Sequence, residues 1–171
     1  MGATSMTVRH RGCPSPAWCS PAPEGPDEMH TTLDDLALRA AEHMGHGTCC
    51  SITVKDGPAL HQVGSSDPRA AAVDQAEVRA EDGPCVLAME QLFGVLVPDV
   101  VTETRWPAWR AAADRAGFRS AAALPAYIDD HRTVAFNVYS DRLEVWGAAR
   151  LVRMDVRVQE LADELRPAGR A

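Results

Sequence analysis

The stretch from Gly83 to Pro125, GPCVLAMEQLFGVLVPDVVTETRWPAWRAAADRAGFRSAAALP, carries the signals that decide the fold. A proline at the first helical position loses nothing, because its missing N–H has no intrahelical partner there. Pro84 therefore opens a helix whose apolar spacing runs on through VLAMEQLF. A short β-rich VLVPDV follows. Pro107 opens a second helix, RWPAWRAAADRAG, and Gly117 closes it. Phe118 then begins an apolar run that reads as a buried strand.

Working outward, TTLDDLALRAAEHMGHG reads as a helix. Thr31 or Thr32 caps it, Asp34 and Asp35 complement its dipole, and Gly45 or Gly47 ends it. Leu33, Leu36, Ala37, Ala40 and Met44 form its apolar stripe. TCCSITVK alternates, with Cys50, Ile52 and Val54 on one face and Cys49, Ser51 and Thr53 on the other. After the Asp56-Gly57 turn, ALHQVGSS is its hairpin partner. DPRAAAVDQAEVRAEDGPC reads as a short helix and an irregular crossing segment. RSAAALPAYI and TVAFNVYS form a second hairpin around Asp129-Asp130-His131. A last helix is expected from about Leu143 to Arg166. Its Leu151, Met154, Val158, Leu161 and Leu165 recur at steps of three and four, spacing that serves either its own sheet or a dimer seam.

The chain has 171 residues, 46% of them hydrophobic, enough for one core of ordinary extent. A net charge of -7 argues against a broad nucleic-acid footprint or a basic membrane-binding face, both of which need clustered positive charge. No apolar run approaches the roughly 18 residues of a membrane span. Prolines 14, 16, 21, 23 and 26 mark residues 1–30 as a disordered tail, 31–166 as one domain and 167–171 as a disordered end. Met29 is a candidate alternative start. The five cysteines, Cys13, Cys19, Cys49, Cys50 and Cys85, form no regular framework and read as reduced thiols in a cytoplasmic protein.

The blocks AEHMGHGTCCSITV, VGSSDPRAAAVDQ, EDGPC, VPDVVTETRWPAW, AGFRSAAALP and FNVYSD together resemble GAF domains, in particular the actinobacterial type often joined to an RNA-binding ANTAR region. The resemblance covers about Leu33 to Leu165. It implies an α+β sandwich: an antiparallel sheet of five or six strands, the N- and C-terminal helices on one face and a ligand pocket on the other. With nothing after Ala171, no ANTAR region and no direct nucleic-acid contact are expected. The resemblance also implies a homodimer through helices near Leu36 and near Leu151, Met154, Val158 and Leu161.

The function so implied is a non-catalytic sensory or regulatory module. It would bind an unknown small molecule and signal through its terminal helices, with no cofactor and no metal. The alternatives are a redox enzyme like the GAF-type free methionine-R-sulfoxide reductases, or a ligand-free dimerisation module. Asp82-Gly83-Pro84-Cys85 is similar to a motif of those reductases, but the segment Trp106 to Ser120, where they carry the principal cysteine, has none. The expected ligand-facing residues are Ser51, Thr53, Cys85, Trp106, Trp109, Phe118, Ala122 and Phe136. Where the family usually has a glycine before the small residue of its last strand, this chain has Val134-Ala135-Phe136-Asn137, and Phe136 is expected to fill part of the pocket.

Several residues have two readings. Cys85, at a helix N-terminus, is either a thiol activated by the helix dipole or a small core residue. Trp106 and Trp109 either floor an aromatic ligand site or belong to the core. His43, His46, Cys49 and Cys50 include soft metal ligands, but adjacent strand residues point to opposite faces. Arg105 and Arg119 either neutralise an anion or are solvated. Asp99 and Glu103 are expected to cap the helix that starts near Arg105.

Overall fold

The computed structural model describes residues 32–143 and 145–166. The readings placed on residues 1–30 and 167–171, and on Thr31, lie outside them. Five helices are described, α1 (Leu33–Met44), α2 (Pro68–Ala80), α3 (Pro84–Gln91), α4 (Pro107–Arg115) and α5 (Ala148–Leu165). The strands are β1 (Thr48–Asp56), β2 (Ala59–Ser65), β3 (Val95–Val97), β4 (Ser120–Tyr127) and β5 (Arg132–Ser140). They join in one antiparallel sheet in the order β2-β1-β5-β4-β3.

Local chemistry sets these boundaries. Thr32 and Asp35 form a reciprocal capping box at the start of α1, and Gly45, at φ +103°, ends it. In the β4–β5 turn the Asp129 carboxylate accepts the N–H groups of His131 and Arg132, both at 3.0 Å, and the Arg132 guanidinium as well. α5 begins at Ala148, five residues later than the expected start near Leu143. Gly147 takes the cap in extended geometry, and the Asp141 N–H bonds to Gly47 O, so the segment after β5 is held to the α1–β1 turn instead of coiling.

The pleat divides the sheet into two faces. Register pairs Ser51 with Asn137 and Ala123 with Asn137, while Ile52 and Leu124 flank Phe136. Cys49, Ala121, Ala123, Ala135 and Tyr139 share a buried cluster with residues of α2, α3 and α4. Cys50, Ile52, Phe136 and Val138 point the other way, where α1 packs on β1 and β2 and α5 packs on β4 and β5. Terminal helices on one face and the three middle helices on the other give the α+β arrangement. Met154, Val158 and Leu161, the centre of the α5 stripe, are buried there, and Leu151 and Leu165 are half-buried.

Candidate functional site

Asp67 caps α2 by accepting the Arg69 N–H at 2.8 Å, and Pro68 occupies the first turn. Along this helix Ala70, Val73, Asp74 and Glu77 fall at positions i, i+3, i+4 and i+7, which share one side. All four are buried, so the face that packs α2 onto the sheet carries two carboxyl groups into the interior. Sequence reasoning had singled out neither acid. The signal was present: both interrupt an apolar stripe at the positions that helical spacing sends to the core.

Asp74 is fully buried beneath donors from two strands. Its Oδ2 accepts Ser51 Oγ at 2.7 Å, Thr53 Oγ1 at 3.0 Å and Asn137 Nδ2 at 2.8 Å, and its Oδ1 accepts the Tyr139 hydroxyl at 2.5 Å. Glu77 Oε1 accepts the Cys85 N–H at 2.6 Å and the Val86 N–H at 3.3 Å, capping α3 from a neighbouring helix. Its Oε2 is buried without a partner, as are Asn137 Oδ1 and Trp109 Nε1.

These surroundings sort the two acids. Burial raises both, and the four donors on Asp74 oppose that rise. Burial, reinforced by the charge of Asp74, pushes Glu77 up to about 8. The donors fit an ionised Asp74, and the unpartnered oxygen fits a protonated Glu77. Gly83 is shaped by the same group, since a Cβ there would stand 2.2 Å from Glu77 Oε1.

Six of the eight expected site residues lie on the α2–α4 face. Ser51 and Thr53 bond Asp74, and Cys85, Trp106, Trp109 and Phe118 pack in the cluster around it. Ala122 and Phe136 face α1 and α5, one pleat out of step. Phe136 therefore does not narrow a pocket on the α2–α4 side. The aromatics are core. Phe118 and Trp109 both stack on Tyr139, at 4.9 and 6.5 Å between centroids, and Trp106 meets Trp109 edge-on.

Cys85 is not an activated thiol, because burial pushes it well above the ordinary cysteine range, and the nearby carboxyls Glu77 and Asp74 add to the shift. Burial raises Cys50 likewise and pushes Cys49 up to about 11. Cys49 and Cys50 face opposite sides of the sheet, and His43 Nδ1 is spent on Arg39 O at 2.6 Å. Among the described residues no three His, Cys, Asp or Glu side chains converge as metal ligands.

Neither Asp99 nor Glu103 caps α4. Asp99 accepts the Val101 N–H and stands 4.0 Å from Arg119, while Glu103 holds both the backbone and the guanidinium of Arg105. Trp106 takes the cap position with no side-chain hydrogen bond. Arg105 lies over the Trp106 ring at 4.1 Å, so its charge is already matched by Glu103 and an aromatic face.

The fold is that of GAF domains. A GAF domain of a two-component sensor histidine kinase from Bacillus halodurans superposes with a TM-score of 0.57 at 11% identity, over 79% of this chain and 94% of that one. The GAF3 domain of a Synechocystis protein in its photoproduct state gives 0.59 at 11%, over 78% and 93%. The free methionine-R-sulfoxide reductase of Neisseria meningitidis, in complex with its substrate, gives 0.57 at 16%, over 78% and 76%. One architecture thus serves a sensor kinase, a photoproduct-forming domain and an enzyme, so function must come from the site. No family model and no curated relative matches the chain. No described helix is long and apolar enough to cross a membrane.

Proposed function

We propose that this chain is a non-catalytic, cytoplasmic regulatory module that senses a small polar molecule on its α2–α4 face. A change there would pass through the sheet to α1 and α5. The observation that carries this reading is the buried Asp74–Glu77 group, in which Glu77 Oε2 and Asn137 Oδ1 meet no partner. A core under selection for stability alone gains little from two buried acids, whereas a molecule with hydrogen-bonding groups would find its contacts there. The raised thiols and the cysteine-free segment Trp106 to Ser120 weigh against thiol catalysis.

Thermal unfolding with a panel of amino acids and small primary amines tests the reading. A compound that raises the melting temperature of the wild-type chain, and does so much less in Glu77→Gln, is the expected result. A flat response across the panel would favour a ligand-free dimerisation module. That second reading has its own support, since Trp109, Phe118 and Tyr139 fill the space beneath α4. In either case the dimer contact we propose moves outward on α5. Met154, Val158 and Leu161 are occupied by the chain's own sheet, while Val152 and Val156 are 63% and 49% exposed. Light scattering of Val152→Glu/Val156→Glu should then show a monomer where the wild-type chain is dimeric.

A further inference from the structure

α2 and α4 lie side by side, and between them runs a groove of about 430 Å³. Its floor is small and apolar: Ala72 and Ala76 from α2, Ala112 and Ala116 from the end of α4. Its rim is arginine. Arg69, Arg79 and Arg115 all border it, and Arg115 also borders a second hollow lined by Arg110, Ala111, Asp114 and the exposed Val101. Arg69 is held to Asp67 and reaches Ala116 O at 3.4 Å, which fixes the start of α2 beside the end of α4. Arg79, Arg110 and Arg115 form no ion pair with any described residue.

Unmatched cations gathered on one face of a chain whose net charge is -7 mark a surface whose counter-charge comes from elsewhere. Geometry narrows the occupant. Arg69 and Arg79 are ten residues apart on one helix, roughly 15 Å at 1.5 Å per residue, so the rim cations are strung along nearly three helical turns. A free polyanion would leave the alanine floor unused. A helix with an apolar stripe uses both, because large side chains enter the spaces over small ones while carboxylates on either flank reach the arginines.

We infer that the α2–α4 groove docks an acidic amphipathic helix of a partner protein. The site lies on the outer surface of the two helices, apart from the buried group on their inner side, and stands or falls independently of the ligand reading above. The test uses the full chain and a labelled synthetic helix of about five turns, with a leucine stripe flanked by glutamates, followed by fluorescence anisotropy. The expected result is saturable binding, weakened at least tenfold, or about 1.4 kcal/mol, in Arg79→Glu/Arg115→Glu and in the groove-blocking Ala72→Trp. All three changed residues are exposed, and circular dichroism checks that the variants remain folded. A lysine-for-glutamate peptide should not bind. Failure of the acidic peptide to bind, or equal binding by the charge-reversed variant, overturns the proposal. So does tighter binding of inorganic polyphosphate than of the peptide, which would make the groove a polyanion site. A wild-type oligomer that Arg79→Glu/Arg115→Glu dissolves would assign the groove to a second copy of this chain and likewise overturn it.

Discussion

The Tyr139 hydroxyl on β5 donates to Asp74 Oδ1 on α2 at 2.5 Å, joining the central strand to the helix that covers it. Asp74 is fully buried, so each of its donors replaces part of a lost hydration shell. Tyr139→Phe removes one charge-assisted bond and should cost about 1.5–3 kcal/mol in urea denaturation. Asp74→Ala strands four donors at once and should cost more, about 4 kcal/mol or above. A Tyr139→Phe loss below about 0.5 kcal/mol would mean that this bond does not hold α2 in place.

Glu77 gives the fold a pH dependence opposite to that of a salt-bridged acid. Its folded-state value, near 8, lies above the ordinary 4.5, because burial and then Asp74 disfavour the anion. Across that interval the folded chain keeps a proton that the unfolded chain releases, so stability falls as pH rises from about 4.5 to about 8. Asp74, also raised, adds a loss of the same sign beginning above its ordinary 3.8. Urea midpoints at pH 5 and pH 8 should show the lower stability at pH 8, and Glu77→Gln should narrow the difference. A difference unchanged in Glu77→Gln would place the titration elsewhere.

Much of this architecture was legible because it rests on local rules. Thr32 caps, Pro84 and Pro107 open helices, Asp129 shapes a turn, and strict alternation in β1 separates Cys49 from Cys50. Less legible was what depends on register between distant strands. Phe136 was misassigned by one pleat, and only its pairing opposite Ile52 and Leu124 shows which face it takes. Gly147 ends the backward reach of α5, and the apolar stripe, which starts only at Leu151, does not mark that boundary. Asp74 and Glu77 were missed for a different reason: acids in a helix default to the solvent side, and only the coincidence with Ala70 and Val73 marks them as buried.

Gly83 has an extended backbone, so its identity is a matter of space and not of torsion. A Cβ there meets three atoms of Glu77 within 2.4 Å, on a side chain confined by the core. Gly83→Ala should therefore push the Glu77 carboxyl off the α3 N-terminus at a cost of about 2 kcal/mol or more. Shortening the other side of the contact relieves the clash. In a double-mutant cycle, Gly83→Ala should cost less on a Glu77→Ala background than on wild type, a coupling of about 1 kcal/mol or more. Additive losses would show that Gly83 is needed for a reason unconnected with Glu77.

The three cysteines of the described domain distinguish a folded interior from a reactive site. Cys49, Cys50 and Cys85 are all free and buried, and each is raised above the ordinary thiol range. Reaction with an aromatic disulfide reagent requires both access and thiolate, and here the fold withholds both. In Cys13→Ser/Cys19→Ser, native protein at neutral pH should release almost no chromophore over the time in which guanidinium-unfolded protein releases three equivalents. Glu77 ties the start of α3 through the Cys85 and Val86 N–H groups, so loosening that tie exposes Cys85. The slow native reaction should then accelerate in Glu77→Ala, with Cys85 the labelled residue by peptide mapping. Rapid labelling of Cys49 or Cys85 in the wild-type fold would instead reopen the enzyme reading, since it would demonstrate an accessible thiolate on the α2–α4 face.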